Sequence, residues 1–146
     1  MRTPASIAGH PMHPMLITVP VGLLIFSLIC DLGALLSAEP ENWHTAAFYT
    51  MVGGFVGALI AAMPGFIDFL SITNERVRRI AIMHMSFNLI AVTLYGVNIW
   101  LRVDGNDVSG TPLLLSLLGV GLLGVSGWLG GSMVYRHGVG VNAEPH

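Results

Sequence analysis

The sequence predicts an all-α protein, a four-helix transmembrane bundle with up-down-up-down topology. Hydrophobic residues make up 53% of the 146 positions and charged residues only 10%, whereas a water-soluble domain carries about 25% charged residues. Four long apolar runs fill most of the chain, at residues 14–36, 45–72, 80–101 and 112–134. Each run reaches the roughly 20 residues that a helix needs to cross the hydrocarbon core of a bilayer. Because four crossings return the chain to its starting side, both termini are expected on one face of the membrane.

Residues 1–146 are expected to form a single membrane domain, with an N-terminal His-Pro arm over residues 1–13 and a tail over residues 137–146. The first helix can begin at Pro14, because a proline at the first helical position lacks only an N–H that has no partner there. Its apolar run exceeds the short core of a cleaved signal peptide, so we expect a retained helix.

The second and fourth runs carry small residues that let helices approach each other closely. The second contains Gly53, Gly54 and Gly57, and the pair Pro64-Gly65 is expected to break its inner third. A short loop over residues 73–79 predicts that the second and third helices are antiparallel neighbours. The fourth run has glycine at positions 119, 121, 124, 127, 130 and 131.

Arginine placement predicts the orientation of the bundle. The chain has six basic residues, all arginine, and five of them lie on the terminal side: Arg2, Arg76, Arg78, Arg79 and Arg136. Only Arg102 lies on the other side. Since positively charged residues in short loops stay cytoplasmic, both termini are expected in the cytoplasm.

Histidines gather at this same inner side of the predicted bundle. His10 and His13 precede the first helix, Asp68 closes the second, His84 opens the third and His137 follows the fourth. An ionisable residue inside a membrane span usually faces the bundle interior and marks a functional site. The sequence therefore predicts a ligand site at the inner face.

His84 is the deepest of these histidines, about 7 Å inside Arg79 at 1.5 Å per residue. Its two interpretations are a ligand role and a helix–helix hydrogen bond, for which Asp68 is a candidate partner. Asn88 follows at i+4 on the same helix face, where it can fix the imidazole, bind a ligand directly or join two helices. An ion pair with the loop that contains Arg76 and Arg79 explains Asp68 as well as a site does.

His10 and His13 belong to two copies of a His-Pro-Met triplet, and rigid prolines separate the two imidazoles. Histidine and methionine together favour copper or haem iron over magnesium or calcium, which prefer oxygen ligands. The alternative is a polar knot that caps the first helix. Toward the outer face, Asp31 and His44 are expected to pair with each other.

Three motifs resemble a known bacterial family. The stretch Gly9-His10-Pro11-Met12-His13-Pro14-Met15, continuing to Pro20-Val21-Gly22-Leu23, resembles the opening signature of the membrane family called domain of unknown function 2231. Pro64-Gly65-Phe66-Ile67-Asp68 resembles its Gly-x-x-Asp element, and His84 with Asn88 resembles its third helix. The resemblance covers roughly residues 9–135 and implies a multi-pass protein of the bacterial inner membrane. The family is similar in plan to four-helix b-type cytochromes, which implies electron transfer.

Three functions are compatible with these residues. The first is haem b binding for membrane electron transfer, with His84 and either His13 or His10 as axial ligands, Asn88 beside them, and Arg76, Arg78 or Arg79 meeting the propionates. The second is a non-haem copper, zinc or iron site for binding or transport, made of His10, His13, Asp68 and His84. The third is an accessory subunit of a larger membrane complex.

The expected partners are the lipid bilayer and either a redox protein or further copies of the chain. No basic patch indicates nucleic acid. No Ser-His-Asp, Cys-His or phosphate-loop spacing indicates a hydrolase or a transferase, and these residues leave open a redox role for an enzyme.

Overall fold

The computed structural model describes residues 3–103 and 110–141 of the chain. Within them lie four helices, α1 (Met12–Leu36), α2 (Pro40–Leu70), α3 (Glu75–Val103) and α4 (Thr111–His137). All four are long and apolar enough to cross a membrane, which confirms the predicted all-α transmembrane class. Two short strands, β1 (Ser6–Ile7) and β2 (His10–Pro11), precede α1 as an addition to that prediction. The cytoplasmic placement of the termini stays a prediction, and Arg2 and His146 lie outside the described residues.

All four helices begin before their apolar runs, and α3 and α4 also end after theirs. Proline and glycine set several of these limits. Pro40 occupies the first turn of α2 and Pro112 that of α4, where a missing N–H costs nothing. At the end of α4, Gly138 adopts φ 64° and donates its N–H to Val134 O. Such a left-handed residue closes a helix at little cost only when it is glycine.

The N-terminal arm is an antiparallel β-hairpin rather than a loose segment. Ala8 and Gly9 both have positive φ angles, 50° and 81°, as a tight two-residue hairpin turn requires. Asp68 accepts the N–H of Ala5 at 2.8 Å, and Ala5 O accepts the N–H of Met12 at 2.9 Å. The arm is therefore tied to the inner end of α2.

The bundle consists of two helical hairpins. Helix α1 packs chiefly against α2, and α3 packs chiefly against α4, while the two hairpins meet along a narrower interface. Glycines bring the partners together. A Cβ on Gly54 would lie 2.6 Å from the Leu24 side chain, and one on Gly119 would lie 2.8 Å from the Tyr95 ring.

Two apolar clusters divide the core along the bundle axis. The outer cluster joins Leu24, Met51 and Tyr95. The inner cluster consists of Ile72, Val77, Ala81 and Met133. A layer of polar and small side chains lies between them and contains the two intramembrane histidines described below.

Candidate functional site: a histidine pair between the hairpins

His13 lies in the first turn of α1, and its ring fits a notch in α2. The ring Nδ1 is 2.8 Å from the Ala61 carbonyl oxygen and so carries the proton that it donates. Gly65 makes the room, because a Cβ there would lie 2.7 Å from the same Nδ1. The predicted break at Pro64-Gly65 is wrong, since α2 is continuous through both residues. Pro64 removes a single backbone donor, and Gly65 is the residue of the pair that makes room for the imidazole.

His84 is held in the same manner by α4. Its Nδ1 lies 2.9 Å from the Ser126 carbonyl oxygen and 2.8 Å from Ser126 Oγ. Asn88 Nδ2 lies 3.0 Å from the ring Nε2. Because that amide nitrogen can only donate, the network assigns a neutral imidazole with its proton on Nδ1. The interhelical partner of His84 is therefore α4, and the predicted alternative partner Asp68 does not contact it.

The two imidazoles meet between the hairpins. Their ring centres are 6.2 Å apart and their planes are perpendicular, at 89°. Both rings are fixed through Nδ1–H to a backbone carbonyl, the arrangement that orients metal-ligating histidines and leaves Nε2 as the ligand atom. Among the described residues, His13 Nε2 has no hydrogen-bond partner, whereas His84 Nε2 accepts from Asn88.

The other predicted ligands do not join this pair. His10 is exposed on β2, with Nδ1 3.1 Å from Ala8 O, and the Asp68 carboxylate is engaged with the arm backbone. No group of three or more His, Cys, Asp and Glu side chains suited to a metal ion occurs among residues 3–103 and 110–141. The four predicted ligands are therefore not together. His13 and His84 lie side by side, whereas His10 belongs to β2 and Asp68 binds the backbone of the N-terminal arm.

The predicted arginines lie at the inner rim. Arg76 and Arg79 are exposed on the first turns of α3, and Arg78 lies over the Phe69 ring with its guanidinium carbon 5.4 Å from the ring centre. Within the described residues, none of them forms an ion pair with Asp68. His137, the last residue of α4, is half-buried.

A second polar cluster lies near the outer end and was not predicted. Arg102 donates to both Asp31 oxygens, at 2.8 and 2.6 Å, and Ser116 Oγ donates to Asp31 at 3.1 Å. Asn98 accepts from Arg102 Nε at 2.9 Å. Asp31 therefore pairs with Arg102, and the expected pair with His44 is wrong. A guanidinium offers a bidentate charged partner that a neutral imidazole does not.

The fold and the paired intramembrane histidines define an integral membrane protein of the four-helix class. A family model matches residues 9–143, and the chain belongs to that family, described as Predicted membrane protein (DUF2231). This confirms the resemblance found in its histidine-proline motif. No curated protein and no solved structure matches the chain.

Proposed function

We propose that the chain is a haem b protein of the membrane, with His13 and His84 as the axial ligands. One observation carries the proposal: two imidazoles from different hairpins lie with their ring centres 6.2 Å apart, each oriented through its Nδ1. A bound haem would exchange single electrons with a redox partner, which makes membrane electron transfer the function that fits best.

The spacing of the rings suits opposite sides of one metal ion. Imidazole nitrogens bind metals at about 2.0–2.1 Å, so two rings on opposite sides of an ion have centres roughly 6 Å apart. The observed distance is 6.2 Å. Two ligands at a tetrahedral angle would bring the centres to roughly 5 Å, so the pair favours axial over tetrahedral binding.

The number of donors favours haem over a bare ion. Haem needs only axial ligands from the protein because the macrocycle supplies four nitrogens. A protein zinc site takes three or four side-chain ligands, and the described residues gather no such group. Copper, zinc or iron held by the same two imidazoles is the competing occupant.

Two further groups fit the proposal. Asn88 occupies His84 Nε2 and would turn aside when iron binds, a change that costs one hydrogen bond. Arg76 and Arg79 are exposed at the inner end of α3 and are the cations available to propionates. We place the protein in the bacterial inner membrane, with this end in the cytoplasm.

A haem titration of the purified protein tests the function. We expect one haem per chain with a sharp Soret band in wild type, and loss of that band in His13→Ala and in His84→Ala. His10→Ala is the matched control and should bind as wild type does, since His10 is exposed and contacts only its own turn.

Two results would argue against haem. If both alanine variants retain the wild-type spectrum, the ligands lie elsewhere. If copper, zinc or iron binds stoichiometrically to wild type, is lost in the same two variants, and haem does not bind, the site belongs to a bare ion.

A further inference from the structure

We infer that the two hairpins are equivalent repeats related by a two-fold axis along the bundle, and that the histidine site lies on this axis. The symmetry fits the ligand of the proposed function, a planar group that two equivalent histidines can bind from opposite faces. The ligand part of the inference rests on the proposed function, whereas the repeat itself does not.

The first support is a constant register between α1 and α3. Asp31 and Arg102 are separated by 71 residues, and the same shift carries His13 to His84. It also carries buried residues of α1 onto buried residues of α3, namely Pro20 to Ala91, Leu24 to Tyr95 and Ser27 to Asn98.

A second constant shift relates α2 to α4. It carries Ala47 to Pro112, Met51 to Ser116, Gly54 to Gly119, Ala61 to Ser126 and Asp68 to Met133, all of which are buried. The residues that match are therefore those on the buried faces of α2 and α4, where helix packing limits which side chains fit.

Matching hydrogen bonds are the third support. Ser27 Oγ donates to Ala47 O at 2.8 Å, and the equivalent Asn98 Nδ2 donates to Pro112 O at 2.9 Å. The histidines repeat this relation, because each ring bonds the carbonyl of the equivalent residue in its own hairpin.

Matching glycines are the fourth support. Gly54 faces Leu24 while Gly119 faces Tyr95, the equivalent pair. The equivalent glycines of the inner end, Gly65 and Gly130, face the two histidine rings. Equivalent glycines of the two hairpins are thus in contact with equivalent side chains.

Contacts between equivalent residues locate the axis. A residue touches its own equivalent only where both lie close to the two-fold axis, as in any self-complementary interface. His13 meets His84 at one end of the bundle, and Asp31 meets Arg102 at the other end. The axis therefore passes through both pairs and runs along the bundle, approximately normal to the membrane.

A ligand on this axis meets the same backbone and ring positions from both sides. Haem satisfies that condition at its iron, whose two axial positions are equivalent, and an elongated substrate with different ends does not. The halves are unequal at one position beside the rings: Asn88 bonds His84 Nε2, while its equivalent near His13 is Ile17, which has no polar group.

Exchange of equivalent residues in the full-length chain tests the repeat. The first exchange swaps the polar cluster around Asp31 and Arg102 between the two hairpins. It combines Asp31→Arg, Arg102→Asp, Ser27→Asn, Asn98→Ser, Met51→Ser and Ser116→Met. The two-fold axis relates the resulting hydrogen-bond network to that of wild type. We expect its thermal midpoint within about 5 °C of wild type, with Asp31→Arg alone far below. The readout is the monodisperse fraction after heating, measured by size-exclusion chromatography.

A second exchange, Leu24→Tyr with Tyr95→Leu, uses the room that Gly54 and Gly119 provide. Its matched controls are the two single variants. A wild-type midpoint in either exchange supports the repeat, and midpoints as low as those of the single variants in both exchanges overturn it. Neither outcome depends on haem.

The axial position of the ligand has its own test, the exchange Ile17→Asn with Asn88→Ile. We expect haem to bind at one per chain with unchanged affinity, because the asparagine then holds His13 as it held His84. A loss of affinity of more than tenfold overturns the symmetric site. If wild-type protein binds no haem, the proposed function fails while the two stability exchanges still decide the repeat.

Discussion

At the residue scale, the site depends on how two glycines admit two imidazoles. The notch at Gly65 is tighter than that at Gly130, where a Cβ would lie 3.2 Å from His84 Cε1 instead of 2.7 Å from His13 Nδ1. A Cβ closer than van der Waals contact must displace the ring. The histidine-proline and proline-glycine motifs are therefore two halves of one contact, between α1 and α2.

Alanine at these glycines should perturb the two histidines to different extents. We expect Gly65→Ala to destabilise the bundle by about 1–3 kcal/mol through overpacking and to abolish haem binding, with a smaller effect for Gly130→Ala. Gly121→Ala is the control, since nothing lies within 4 Å of a Cβ there. Haem titration and thermal unfolding measure both effects, and equal behaviour of Gly65→Ala and the control would contradict the notch.

In the proposed haem protein, Asn88 would compete with iron for His84 Nε2, so its removal should strengthen haem binding. A net hydrogen bond is worth about 0.5–1.5 kcal/mol, and Asn88→Leu should therefore lower the Kd for haem by roughly 2- to 10-fold. Thr93→Val is the matched control, because the Thr93 hydroxyl is exposed and bonds only its own helix. Weaker binding in Asn88→Leu would instead indicate that Asn88 supports the ligand.

Sequence reasoning found the two histidines but not their partners. Alternating helix direction is enough to place His13 and His84 at one end of a bundle. Ala61 and Ser126 accept through backbone carbonyls, and a carbonyl acceptor leaves no signal in the amino-acid sequence. The sequence favoured Asp68 as a ligand for the same reason. Its carboxylate accepts the backbone N–H of Ala5, and a backbone donor also leaves no signal in the sequence.

At the element scale, α1 meets α3 through polar side chains at both ends of the bundle, by an ion pair at the outer end and by a ring contact at the inner end. The Asp31–Arg102 pair is the stronger link, since both side chains are nearly inaccessible, at 2% and 4%. Removing either residue of the pair leaves the other as an uncompensated buried charge, which is strongly destabilising.

Removal of either charge should destabilise the protein substantially. We expect Asp31→Ala and Arg102→Ala each to cost about 3–5 kcal/mol, and the double variant to cost less than their sum because no charge is left unpaired. Arg79→Ala, at an exposed position, is the control and should stay near wild type. Thermal unfolding in detergent measures these effects, and strictly additive losses would contradict a direct coupling.

The apolar runs identified four helices but not where they end. Hydrophobicity reports the segment inside hydrocarbon, while α2 begins at Pro40 and α3 at Glu75, among polar residues that continue the helices beyond the membrane. Arg102 illustrates the limit. As a loop residue it predicted orientation, but its position in α3 makes it a buried partner of Asp31.

At the scale of the whole molecule, two similar hairpins enclose one layer of histidine. The inner and outer apolar clusters lie on either side of that layer along the axis, and both imidazoles within it are half-buried. In the proposed haem protein, two histidine ligands would fill both axial positions of the iron, so the haem would exchange electrons without binding further ligands.

Orientation is a property of the whole chain and has a direct test. With both termini in the cytoplasm, alkaline phosphatase fused after residue 38 should be active and the same enzyme fused after residue 73 inactive, because it folds only outside the cytoplasm. A fluorescent protein that matures only in the cytoplasm should show the reverse pattern. The opposite result at both positions would place the histidine layer near the outer surface.

The visible absorption spectrum of the chain, purified from cells supplied with haem precursors and then reduced, tests the central claim most directly. We expect the sharp α band and Soret band of a six-coordinate haem b, at one haem per chain, because the proposal assigns His13 and His84 to opposite sides of the iron. A monodisperse, folded and colourless protein from the same cells would contradict the account.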